Sequence, residues 1–441
     1  MTTQGSPLSP PRTQFDENNP FAGDLFQRRE LAAQLTDYIN RLRDGSVLAI
    51  DAPWGEGKSW FGQNWAATLK TEDYRVIYLD AFQQDYIEDP FLLIASEINE
   101  VIGIGDTAGK DLKQKAANVM KAILPFSTKV LINIAGRLAL GAVDASKDIQ
   151  EVIQKAGENS ADATQQWLED KIEDHFKEKE SLESFRSALR EFCASESKPV
   201  VFFIDELDRC RPNFAVLLIE RLKHFFDVPN LVFVLLLNRD QLEKAIKGVY
   251  GVETDASAYL GKFIHMHLKL PKKTEASGDQ SNANWNYLQR LADHYNFKKS
   301  QELDHFINSF SVFASTMQMS LRDLEKGMAL LALNGVGNSA TYLAWPVALK
   351  LKHPNIFNSL LNEDIDSHKD AAELLAKMSA SEHYHFWAKK YFLPFHLSAA
   401  YGVEKLTQEQ KKDLEKYKPD DWHHINQLQF WLKRLDIASQ D

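Results

Sequence analysis

The chain has 441 residues, of which 44% are apolar and 26% charged, and its formal net charge is −11. That length suggests two or three domains with enough core to fold unaided, while the acidic balance disfavours, without excluding, a general binder of nucleic-acid phosphates. Two cysteines, Cys193 and Cys210, exclude a disulfide framework or a zinc motif and point to a reducing, cytoplasmic setting.

Residues 1–14 are rich in Ser, Thr, Pro and Gln and lack the apolar stretch of a signal peptide, so they read as a disordered tail. A helical pattern over Arg28–Leu42 leads to a strand at Ser46–Ala52. The strand runs into Pro53-Trp54-Gly55-Glu56-Gly57-Lys58-Ser59, and Trp60 opens a helix expected over Ser59–Leu69. Strand, glycine-rich turn, Lys-Ser and helix is the context of a phosphate-binding loop. Glycines let backbone N–H groups curl around an anion, and the helix N-terminus adds positive potential. Pro53, Trp54, Gly55, Glu56, Gly57, Lys58, Ser59 and Trp60 therefore form the expected nucleotide-binding segment. Lys58 would reach the β- and γ-phosphates and Ser59 would ligate Mg²⁺. The usual pattern places Gly six residues before the Lys. Here that residue is Ala52, and a required positive φ would strain it. A chance match in a turn is the bland alternative.

Further strands are expected at Arg75–Phe82, Pro199–Ile204, Leu231–Leu237 and Phe263–Leu270. The runs VVFFI and LVFVLLL suit parallel strands buried on both faces, and the alternating IHMHLKL suits an edge strand. With the helices between them, Asn213–Phe226 included, these strands predict a three-layer α/β domain over residues 15–272 with a mostly parallel five-stranded sheet. A helical insertion at about 95–198 interrupts it. Within the insertion, Ala117–Val143 is apolar but broken by Lys121, Pro125, Lys129, Gly136 and Arg137, so a membrane span is not expected. Asp170–Glu183 reads as a solvated helix face. The third strand ends in Asp205 and Glu206, then Leu207 and Asp208. Adjacent carboxylates closing a buried strand cost desolvation, which a metal would offset. Asp205 is expected to hold Mg²⁺ and Glu206 to act as general base toward water. Asn238, closing the fourth strand, is either a γ-phosphate sensor or the cap of the next helix.

After a polar boundary at Pro271–Asn284, residues 285–441 read as helical, with examples at Trp285–Tyr295, Ser320–Leu333, Asp370–Met378 and His424–Leu435. Trp387, Tyr391, Phe392, Phe395, Phe430 and Trp431 read as core, and His383, His385, His423 and His424 as surface or core residues. His265 and His267 share a strand face, but they have too few neighbouring ligands to hold a metal.

These motifs resemble the KAP family of P-loop NTPases. The resemblance rests on Trp54–Ser59, on Ile204-Asp205-Glu206-Leu207-Asp208-Arg209-Cys210, more loosely on Asp80-Ala81-Phe82 with Asp85-Tyr86, and on Tyr259–Ile264 with Leu270-Pro271. It covers about residues 15–330. It implies Mg²⁺-dependent binding and hydrolysis of ATP rather than GTP, with protein partners, in bacterial multi-protein systems such as anti-phage defence. It also implies that Arg322, in Ser320–Leu324, is either a sensor reaching the phosphates or a surface arginine. Family members often carry membrane helices at the insertion. The alternatives are a nucleotide-gated scaffold with little hydrolysis and a peripheral membrane protein. Arg209 or Arg211 is a candidate to act in a neighbouring subunit's site, making self-association ATP-dependent. The competing expectation pairs Arg209 with Asp208 or Asp205.

Overall fold

The computed structural model describes residues 15–87, 89–102, 180, 182–272, 280–335, 340–377, 387–416 and 424–436. The expected tail, Ala117–Val143, most of Asp170–Glu183, His383, His385 and His423 lie outside the described residues. The chain divides into two compact units. One comprises residues 32–52 and 61–269, and the other residues 1–31, 53–60 and 270–441.

The first unit is built on a five-stranded sheet in the order β2-β3-β4-β1-β5, with every neighbouring pair parallel. The strands are β1 Ser46–Asp51, β2 Val76–Asp80, β3 Val200–Asp205, β4 Leu231–Leu237 and β5 Met266–Lys269. Successive side chains of a strand point to opposite faces, yet every residue of β3 and β4 is buried. Both faces of the sheet centre are therefore covered, which makes this an α/β domain of three layers. The described helices of this unit are α1 Arg28–Ile39, α2 Lys58–Thr71, α3 Pro90–Ile102, α4 over residues 182–195, α5 Pro212–Leu222, α6 Arg239–Tyr250 and α7 Ala256–Leu260. The first residues of α1 and α2 belong to the other unit. Phe91, Ile94 and Ile98 of α3 and Phe185, Leu189 and Phe192 of α4 join one core with the apolar residues of β3 and α5.

Two strands are shorter than their apolar runs. β2 stops at Asp80: Ala81 N still donates to Asp205 O of β3 at 3.0 Å as the last rung, and Phe82, half exposed, begins a 3-10 turn that ends the strand. β5 starts at Met266 rather than Phe263. The N–H groups of Phe263 and Ile264 both return to Leu260 O at 3.0 Å, closing α7 before the sheet can recruit them. β5 is indeed an edge strand.

The described residues of the second unit's C-terminal part are helical: α8 Gln280–His294, α9 Gln301–Thr316, α10 Leu321–Asn334, α11 Ala340–Lys352, α12 Pro354–Leu361, α13 Ile365–Ala376, α14 Trp387–Tyr401, α15 Gln408–Lys416 and α16 His424–Leu435. α8 starts inside the stretch expected to be loop. Helix α10 opens on a capping box. Ser320 Oγ accepts from Asp323 N, and Asp323 Oδ2 accepts from Ser320 N. Tyr391, Phe392, Phe395 and Trp431 are core residues, whereas Phe430 is 41% exposed. At the centre of this core, Trp345 Nε1–H donates to His396 Nε2 at 2.9 Å. The His396 proton therefore sits on Nδ1, which donates to His368 Nδ1, also at 2.9 Å. Burial holds His396 far below its ordinary pKa and lowers that of His368, so this chain of rings is neutral.

Candidate functional site: a phosphate loop and an acidic strand end

The segment from Pro53 to Ser59 joins β1 to α2, and Lys58 and Ser59 form the first turn of that helix. Gly55 and Gly57 have φ of +84° and +77°, the left-handed region that side chains disfavour. Space enforces the same choice. A Cβ on Gly55 would meet Arg322 Cβ at 2.6 Å, and one on Gly57 would meet Arg28 Nη1 at 2.8 Å. Ala52 is not among the positive-φ residues. Its N–H instead extends the ladder to Leu237 O at 3.2 Å. The departure from the usual glycine therefore strains nothing. Lys58 is 8% exposed, and its ammonium donates to Pro53 O at 3.3 Å. Trp54 is 44% exposed, and Trp60 packs edge-on to Phe21.

Three contacts support this loop, and of the residues that make them the sequence singles out only Arg322. Arg28, 1% exposed at the start of α1, donates from Nη2 to Glu56 O at 2.8 Å and from Nη1 to Gly57 O at 3.4 Å. Burial lowers its pKa to about 10, so the guanidinium stays charged at neutral pH. Lys272 Nζ lies 3.6 Å from Glu56 Oε1, with only 8% and 14% of the two side chains exposed. Glu56 is thus turned toward a cation instead of repelling an anion. Arg322 N donates to Gly55 O at 3.3 Å. The Arg322 side chain is exposed, as a surface helix arginine would be, while its backbone lies against Gly55.

At the carboxyl edge of the sheet, Asp205 is 4% exposed. The Tyr78 hydroxyl donates to its Oδ2 and Glu206 N to its Oδ1, each at 2.8 Å. Burial and the nearby Asp205 charge push the Tyr78 pKa far up, so this phenol is a permanent donor. Glu206 adopts φ +59°, ψ +23° at the entry to the 3-10 turn Leu207–Arg209. The Glu206 carboxylate pairs with Arg209 Nε. That partner differs from the expected Asp208 or Asp205. Arg209 N donates to Glu206 O at 3.1 Å, and that closed turn brings the two side chains together. Arg211 turns to Asp85: its N–H donates to Oδ2 at 3.0 Å and its Nε lies 3.6 Å away. Asn238 accepts from Gln241 N at 3.4 Å and so caps α6. It ends β4, the strand between β1 and β3, so its place suits a sensor as well. His265 Nδ1 accepts from Val47 N at 3.0 Å, and His267 Nε2 lies 3.7 Å from Asp51 Oδ2. Burial lowers the pKa of both rings, consistent with neutral, structural imidazoles.

No cluster of three or more His, Cys, Asp or Glu among the described residues could hold a metal by itself. One hydroxyl and one carboxylate, Ser59 and Asp205, are hard oxygen donors. Each is the type of donor that Mg²⁺ takes, alongside waters and phosphate oxygens.

A model of the KAP family P-loop domain matches residues 28–338. Among solved structures the chain is similar to the Aeropyrum pernix ORC2 protein (ADPNP-ADP complexes), with 13% identity and a TM-score of 0.35 over 93% of this chain and 94% of that one. That likeness is too loose to bear on function. No curated protein matches the chain.

Proposed function

The chain belongs to the KAP family of P-loop NTPases, and from that premise we propose that it binds ATP with Mg²⁺ and hydrolyses it. The observation that carries this reading is the loop itself: two left-handed glycines, a lysine at its end and a helix N-terminus behind it. In this reading Gly55, Glu56, Gly57, Lys58 and Ser59 supply N–H groups to the phosphates, and Lys58 adds its cation. Asp205 and the Ser59 hydroxyl hold Mg²⁺, which when bound neutralises phosphate charge. Glu206 accepts the proton of the attacking water. Asn238 and Arg322 sense the γ-phosphate. The domain over residues 15–272 carries this chemistry, residues 285–441 form a helical C-terminal region, and the protein acts with protein partners.

Two substitutions test the reading. Lys58→Ala is expected to abolish Mg-ATP binding in a calorimetric titration. Glu206→Gln is expected to bind as wild type and to lose turnover by about 10²–10⁴-fold. Wild-type affinity in the first variant, or wild-type phosphate release in the second, would overturn the assignments.

A second reading, a nucleotide-gated scaffold with little hydrolysis, is favoured by the engagement of Glu206 with Arg209. Absence of phosphate release from wild type, with partners present, would select it. The family resemblance supports a cytoplasmic role in a bacterial multi-protein system such as anti-phage defence, which gene neighbourhood tests. No helix among the described residues is long and apolar enough to cross a membrane. Fractionation at low salt, with release from the membrane fraction by high salt or carbonate, separates peripheral association from a cytoplasmic protein. ATP-dependent self-association through Arg209 or Arg211 would require those side chains to leave Glu206 and Asp85. Light scattering in saturating ATP tests it, and a monomer mass would refute it.

A further inference from the structure

We infer that Arg28 is a positioning residue for phosphate binding: it sets the peptide planes whose N–H groups face the anion. The inference rests on the nucleotide reading above. A trans peptide is planar, so fixing its carbonyl fixes its N–H in the opposite direction. Arg28 takes the carbonyl oxygens of Glu56 and Gly57, at 2.8 and 3.4 Å. Those two peptide units carry the N–H groups of Gly57 and Lys58, the last two of the glycine-rich turn. With both carbonyls drawn to one guanidinium, the two N–H groups point together away from it. Successive convergent N–H groups are what make a nest for an anion. The fork of an arginine suits the task, because two donors on one plane reach two acceptors at once.

The cost of burying this group argues against a mere staple. Arg28 is 1% exposed and its Nε has no hydrogen-bond partner among the described residues. Its bonds go to neutral carbonyls rather than to a carboxylate, and the nearest aromatic face, Phe26, lies 5.0 Å away. A buried guanidinium satisfied this incompletely is expensive. It also leaves a fixed positive charge directly behind the loop, where it favours an anion on the other side. Gly57 leaves room for this contact, since any Cβ there would collide with Arg28 Nη1.

The test is calorimetric titration of the full chain with Mg-ATP and with inorganic pyrophosphate, in wild type, Arg28→Gln and Arg28→Lys. Arg28→Gln is expected to weaken both ligands by about 10- to 100-fold, the range of lost charge-assisted hydrogen bonds. Arg28→Lys, which keeps the charge but reaches one carbonyl, is expected to fall between. In steady-state hydrolysis the loss should appear mainly in KM. Millimolar guanidinium ion should restore part of the affinity of Arg28→Gln, which a general loss of fold would not allow. If Arg28→Gln does not fold, Arg28→Lys decides alone by its affinity and KM. Wild-type affinity for both ligands in the folded variants would overturn the inference while leaving the nucleotide reading intact. Failure of wild type itself to bind Mg-ATP would overturn the nucleotide reading, and this inference with it.

Discussion

Replacing Lys272 by Met should destabilise the protein in a manner that depends on pH. At 3.6 Å and an effective dielectric near 20, the attraction between Lys272 and Glu56 is about 4–5 kcal/mol. The loss cannot reach that figure, because Glu56 has an escape. Burial already raises its pKa from the ordinary 4.5, and without its cation it takes up a proton instead. Protonating such a carboxyl at pH 7 costs about 3.4 kcal/mol, which caps the electrostatic part. Met returns some of the lysine's desolvation cost. The bond from Lys272 Nζ to Met319 O, 3.0 Å, removes about 1 kcal/mol more at any pH. The expected deficit is therefore about 2–3 kcal/mol at pH 7, shrinking to about 1 kcal/mol at pH 5. A raised folded-state pKa contributes stability at low pH that is lost as pH rises through it, so the sign agrees. Urea unfolding at both pH values measures the deficit, and adding Glu56→Gln to Lys272→Met should recover most of it at pH 7. An equal deficit at pH 7 and pH 5, or no repair by Glu56→Gln, would refute the reasoning.

Tyr78→Phe removes the donor on Asp205 Oδ2 and is expected to raise the Mg²⁺ concentration needed for tight nucleotide binding about tenfold. Affinity measured without Mg²⁺ should not change, and equal loss with and without the ion would refute a role through the metal ligand. Gly62→Ala places a Cβ 2.1 Å from Leu236 Cδ1 and 3.2 Å from Tyr78 Oη. It should cost about 1–3 kcal/mol by overpacking, read as a lowered melting temperature. His368 and His396 have depressed folded-state pKa values. The stability they leave to the helical unit is thus full above the ordinary 6.5 and is lost as pH falls from there toward those values. Hydrogen exchange of α11, α13 and α14 at pH 8 and pH 5.5 reads this directly, and unchanged protection would contradict it.

The sheet was legible where burial alone decides a strand. Leu231–Leu237 is apolar on both faces and has the bounds its composition predicts. It was less legible where competing hydrogen bonds decide, as at Phe263, whose N–H serves α7. The phosphate loop was legible because its conformation follows from local residue types, glycine above all. Its supports were not. Arg28 meets Glu56 across 28 residues and Tyr78 meets Asp205 across 127, and nothing in a lone Arg or Tyr indicates what packing will bring to it. The partner of Arg209 was misjudged for a smaller reason. Charge alone offers three nearby acids, Asp205, Glu206 and Asp208, and only the turn that brings Arg209 N to Glu206 O selects Glu206.

The company the loop keeps has a consequence for how the protein matures. Residues 53–60 group with the N-terminal segment and with everything from Leu270 onward, rather than with the strand that precedes them. During synthesis the loop emerges early, but Lys272, Ser320 and Arg322 follow only when most of the chain is made. Until then Gly57 has Arg28 beside it, but Gly55 lacks Ser320 and Arg322, the neighbours that crowd it into shape. A chain truncated after Pro271 would retain all five strands and both acids yet lose those neighbours. Competence to hold a nucleotide would in this way report that translation had passed α10, so that an unfinished chain stays silent even though its sequence motifs are complete.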